Sequence, residues 1–170
     1  MEVSFVLKQG LRIKAKLSSV QVNPLGKHES AGAILLSGKS ASSILDEKNG
    51  VTIASVGEYE IGGIKIQGSG QQGNVVYRLL VDNVEILLGR LSSLSASHAK
   101  LQESDLLLVD ADVSLDPSTI TPLGTHAVIF FGDKAEEIVK TFIKENVKVL
   151  PKFVTTKEKL PTEMETVLLQ

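Results

Sequence analysis

The stretch from Gly57 to Gly68, Gly-Glu-Tyr-Glu-Ile-Gly-Gly-Ile-Lys-Ile-Gln-Gly, constrains this chain more than any other. Apolar and polar residues alternate with period two, the pattern of a half-buried strand. Tyr59, Ile61, Ile64 and Ile66 are offered to a core. Gly62-Gly63 shifts the alternation by one residue, as a tight turn or a bulge does.

The rest of the chain repeats the theme. Leu11, Ile13, Ala15 and Leu17 alternate with Arg12, Lys14 and Lys16, so a half-buried hairpin with Val3 to Leu7 is expected. Short strands follow at Val20–Val22, Ala33–Leu36 and Val51–Ala54. Asn74–Val81 and Val84–Leu88 flank Asp82-Asn83, a hairpin turn pair. Leu91 to Glu103 is a weakly helical segment, and residues 110–124 form a loop with room for one helical turn. Asp105–Val109 and Ala127–Phe131 are apolar enough to be buried on both faces. Between them and Val147–Leu150 lies an amphipathic helix, with Asp133 and Glu136 as a capping pattern and Ala135, Ile138, Val139, Phe142 and Ile143 as its apolar face. Phe153-Val154 and Thr166–Leu169 are expected to add edge strands. Many strands and one clear helix predict an α+β, layered β-sandwich. The expected division is one domain over residues 1–160, with 161–170 a C-terminal tail or edge strand.

At 170 residues, with 42% hydrophobic and 22% charged residues, the chain can bury one substantial core. A formal net charge of −2 and few aromatic residues give no general attraction to nucleic acid. Cysteine is absent, which removes disulfides and thiolate metal sites together. No signal-peptide pattern opens the sequence, and no apolar run approaches the roughly 20 residues of a membrane span. A cytoplasmic protein is expected.

Few residues point to chemistry. His28, His98 and His126 stand in separate segments, with no pair at metal-ligand spacing. Asp110, Asp112 and Asp116 share one loop and could hold a hard cation, but the pattern lacks the glycine and terminal glutamate of a calcium loop. Capping of turns is the simpler reading. Gly32 to Ser40 ends in Gly-Lys-Ser, yet its spacing and apolar interior do not suit a phosphate loop. Ser97-His98-Ala99-Lys100 matches Ser-x-x-Lys without its companion motifs.

Gly57-Glu58-Tyr59-Glu60 resembles a segment of a bacterial subgroup of the metallo-β-lactamase superfamily, the Zn-dependent hydrolases of the β-lactamase fold. Other parts are similar in order. Met1 to Lys14 resembles the N-terminal hairpin, Val20 to Pro24 the strand that ends in Asp-Pro, and Ala33 to Ser37 the strand leading into the metal motif. Asn74–Tyr77 and Val84–Gly89 resemble the hairpin that ends in Gly-Asp. Asp105–Val109, the helix from Lys134, and Val149 to Phe153 resemble the closing βαβ half. The resemblance implies a metallo-β-lactamase-like αββα sandwich, here with reduced outer helices.

It also implies a binuclear zinc site, and the sequence departs from that at each position that can be matched. Gly38-Lys39-Ser40-Ala41-Ser42-Ser43 stands where the His-x-His-x-Asp-His motif belongs. The bridging Asp is replaced by Arg90, the last His by Phe153, the Asp before Pro24 by Asn23 and the opening His by Lys8. Cations at such a place oppose a dication. The expectation is therefore a non-catalytic protein of this fold without a cofactor, acting in binding or assembly through self-association, as a homo-oligomer, or through a protein partner. Lys8, Lys39 and Arg90 would line the former metal pocket and could hold an anionic ligand. The alternative is a metal-dependent hydrolase with a rebuilt site, in which Asp110, Asp112 and His126 bind a divalent metal, Zn or Mg. No nucleic acid and no membrane partner is expected.

Overall fold

The apolar alternation along the strands is resolved by setting two sheets face to face. In the computed structural model the residues described are 1–6, 10–24, 31–38, 50–71, 73–97, 103–120, 125–143 and 146–170. The first sheet holds β1 (Glu2–Val6), β2 (Gly10–Lys14), β3 (Ser19–Val22), β4 (Ala33–Leu35), β5 (Val51–Ile53) and β13 (Lys152–Val154), in the order β13-β1-β2-β3-β4-β5. The second holds β6 (Gly57–Ile61), β7 (Ile64–Gln71), β8 (Asn74–Val81), β9 (Val84–Arg90), β10 (Leu106–Asp110), β11 (Ala127–Phe131), β12 (Val147–Leu150) and β14 (Glu165–Leu169). Its order is β12-β14-β11-β10-β9-β8-β7-β6. Strands β6 to β9 form an antiparallel meander; β9, β10, β11, β14 and β12 run parallel.

One apolar cluster fills the space between the sheets, with Leu11, Ile13 and Leu35 on one side and Ile66, Ile86 and Ile129 on the other. Tyr77 lies within it, and its hydroxyl donates to the carbonyls of Leu36 (3.0 Å) and Ile53 (2.9 Å), tying the second sheet to the first. A second cluster lies on the outer face of the eight-stranded sheet. There Leu87, Leu107, Val109 and Phe130 are covered by Leu91 and Leu94 of α1 (Leu91–Ser97) and by Ala135 and Ile138 of α2 (Ala135–Ile138). Strands β10 and β11 are thus buried on both faces, which is why they read as unbroken apolar runs.

The expected hairpins form. Gly62 and Gly63 have φ of 58° and 79°, and Asp82 and Asn83 of 49° and 67°. Two successive positive φ values mark type I′ turns, so Gly62-Gly63 is a turn and not a bulge.

Three expectations are corrected. Thr166–Leu169 is neither tail nor edge: β14 lies between β11 and β12, with Val167, Leu168 and Leu169 buried. Its parallel pairing with β11 needs a crossover, which no local pattern reveals. Asp133 does not cap the helix. Lys134 occupies the cap position without a side-chain bond, α2 passes into a π-helical turn at Val139–Ile143, and Phe142 is 40% exposed. Leu17 follows β2 and is 88% exposed, because that strand ends at Lys14.

Candidate functional site between the strand ends

Register places Arg90, Asp110 and Phe131 side by side at the carboxyl ends of β9, β10 and β11. In sheets with parallel strands this end is where the connecting loops leave room for a ligand. The residues after β3 and β4 of the opposite sheet close over the same place.

Asn23 makes the join. It stands directly after β3 with φ of 46°, a left-handed conformation that asparagine tolerates better than most residues. Its Nδ2 donates to Ser37 Oγ at 2.7 Å and to Asp110 Oδ2 at 2.8 Å, while its Oδ1 accepts from the Ser37 amide at 2.9 Å. One carboxamide thereby links the ends of β3, β4 and β10.

Burial pushes the Asp110 carboxyl above its ordinary range. The Asn23 hydrogen bond and the nearby Arg90 charge oppose that rise, and Asp112 and Asp133 add to it. Gly132, at φ of 95°, backs the same carboxylate: a Cβ there would lie 2.7 Å from Asp110 Oδ1. Asp112 is turned away, accepting from the Ser92 amide at 3.2 Å and the Ser92 hydroxyl at 2.6 Å.

Arg90 rests on Gly38. A Cβ on Gly38 would come within 2.1 Å of the guanidinium carbon, so the missing side chain is the seat of the cation. Arg90 Nε is buried without a hydrogen-bond partner, and among the described residues the guanidinium makes no ion pair.

The remaining sequence candidates do not converge here. His126 lies at the amino end of β11, where its amide donates to Asp105 O and its Nδ1 is 2.7 Å from Pro161 O. The pairing of Leu106 with Ala127 and of Asp110 with Phe131 sets His126 and Asp110 at opposite ends of these strands, about 16 Å apart at the usual strand rise. Asp110, Asp112 and His126 therefore cannot share a metal ion. Asp116 accepts from the Ser118 amide at 2.9 Å, the turn-capping role. Phe153 pairs with Val3 and packs in the core. Lys8, Lys39, His28 and His98 lie outside the described residues. Among the described residues no three His, Cys, Asp or Glu side chains are grouped to hold a metal.

Among the described residues the groups at the strand ends are an amide, a hydroxyl and one partly buried carboxylate, beside a guanidinium. They do not fit a zinc centre, which calls for converging imidazoles and carboxylates. Sequence reasoning placed Asn23 and Arg90 at one site but missed the part of Ser37 and the bond from Asn23 to Asp110. A shallow groove of about 530 Å³ also lies on the outer face of β6 to β9, lined by Glu58, Glu60, Lys65, Gln67, Arg78 and Glu85 among others. Arg78 is already held there by Glu85 and by the Glu103 carbonyl.

Two mixed sheets face to face, with few helices packed outside, are the architecture of the metallo-β-lactamase fold. The chain matches the crystal structure of a candidate Zn-dependent hydrolase of the metallo-β-lactamase superfamily from Thermotoga maritima with a TM-score of 0.71, over 99% of this chain and 97% of that one. Sequence identity is 14%, so the likeness is one of fold. No family model and no curated protein matches the sequence.

Proposed function

We propose that this chain is a non-catalytic bearer of the metallo-β-lactamase fold that acts by binding or assembly. The observation that supports it is the composition of the strand-end cluster. Arg90 occupies the seat beside Gly38, and Asp110 is committed to Asn23. A cation beside the carboxylate repels a divalent ion, and one carboxylate by itself supplies too few ligands for a metal centre. A hydrolase with a rebuilt metal site draws no support from Asp110, Asp112 and His126, because His126 lies at the opposite end of the strands from the two aspartates.

Elemental analysis of the purified protein tests the reading, paired with thermal unfolding in Zn²⁺, Mn²⁺ and Mg²⁺. A metal that binds the native state raises the midpoint by linkage. The expected result is no stoichiometric metal and no rise, with hydrolysis of ester and lactam substrates at the rate of buffer. Near-stoichiometric metal with a raised midpoint would overturn it. Sedimentation of the same sample over a range of concentrations reads the assembly part, with self-association expected; a monomer throughout would leave a different partner as the object of binding.

A further inference from the structure

Resting on that metal-free reading, we infer that Arg90 is the binding residue for a small oxyanion, a carboxylate or phosphate group that docks at the ends of β9 and β10.

A guanidinium carries five N–H donors in a planar fork suited to two oxygens at once. In a folded protein such a group, when partly buried, is normally met by a carboxylate or by carbonyls. Arg90 is half-buried and meets neither among the described residues. Its Nε is closed off without an acceptor, and among the described residues no partner is seen for the terminal nitrogens.

The carboxylate that should satisfy it is next door. Asp110 is its register neighbour on β10 and feels its charge. Yet Asp110 turns its Oδ2 to Asn23, and Asp112 spends both oxygens on Ser92. Internal pairing is thus available by position and declined by geometry. Gly38 completes the device: with no Cβ it lets the guanidinium lie flat on the β4 loop, which aims the fork from a fixed plane. On the outer face Glu85 holds Arg78 in an ion pair, whereas Arg90 has no ion pair among the described residues.

The test is a titration of isotope-labelled protein at constant ionic strength with inorganic phosphate in one arm and acetate in the other. Arginine side-chain resonances and thermal unfolding are followed together. Saturable movement of the Arg90 signals is expected with at least one probe, and the arm that saturates at lower concentration names the class of anion. Arg90→Gln should weaken binding about tenfold or more, since a charge-assisted fork is replaced by a neutral amide. Gly38→Ala keeps the charge but takes the seat of the guanidinium, and should weaken binding in the same direction.

No saturable response to either probe would overturn the proposal, and so would equal responses in wild type and Arg90→Gln. Neither outcome touches the metal analysis, so the anion site and the metal-free reading fail separately. Because the Arg90 side chain makes no hydrogen bond among the described residues, both variants are expected to fold; if one does not, the wild-type resonances decide alone.

Discussion

Asn23 donates to Asp110 across the two sheets at 2.8 Å, joining residues 87 apart in sequence. The bond makes the end of β3 and the end of β10 one unit beside Arg90.

Replacing Asn23 with Ala should be costly. The variant loses three hydrogen bonds and leaves Asp110 and the Ser37 amide short of partners. It also puts a Cβ-bearing residue without a local bond at φ of 46°. A loss of about 2–4 kcal/mol in urea unfolding is expected. Asn23→Gly removes the bonds but not the backbone freedom and should cost about 1 kcal/mol less; equal losses would show that the conformation carries no strain.

The pH dependence of stability follows from Asp110. Its native carboxyl titrates above the ordinary 3.8, so between that value and the raised one the native state holds more protons than the unfolded chain. Stability from this group is therefore fully present below 3.8 and is lost as the pH rises through the native value. Asp110→Asn keeps an oxygen for Asn23 and carries no charge. It should match or exceed wild type at neutral pH, with the difference closing in acid. Unfolding curves from acid to neutral pH check this, and a variant weaker than wild type at neutral pH contradicts it.

Tyr77 ties the sheets at a second point. Burial pushes its hydroxyl well above the usual tyrosine range, because the ionised form would be stranded among apolar side chains. Tyr77→Phe leaves the Leu36 and Ile53 carbonyls with one partner fewer and should cost about 1–2 kcal/mol at every pH. Ultraviolet titration should show no exposed-tyrosine transition from this ring while the protein stays folded.

Removing residues 162–170 should abolish cooperative folding. Val167, Leu168 and Leu169 are buried, and each is worth about 1.5–3 kcal/mol. The deletion also parts β11 from β12, since both pair with β14. A sharp thermal transition in the truncated chain would refute the assignment of β14 as an inner strand that the sandwich needs.

Much of this was legible from local pattern. Period-two alternation marked β2, β6 and β7. Paired turn residues marked the hairpins at Gly62-Gly63 and Asp82-Asn83, and unbroken apolar runs marked β10 and β11. These signals are short-ranged, because side-chain direction and turn conformation depend on near neighbours. The site was legible in part, through Asn23, Gly38 and Arg90, on a resemblance of pattern and not on chemistry.

The tertiary structure alone decided what long-range pairing controls. It set Thr166–Leu169 inside the sheet instead of at its margin. It parted His126 from Asp110, though both border short strands of the same parallel pair, because sequence does not say which end of a strand faces which. And it turned Asp110 toward Asn23 instead of Arg90. Composition and alternation determined that two apolar faces would form. Which polar groups meet where the faces close was settled by packing, since one carboxylate has two candidate partners and only the fold decides which lies within hydrogen-bond reach.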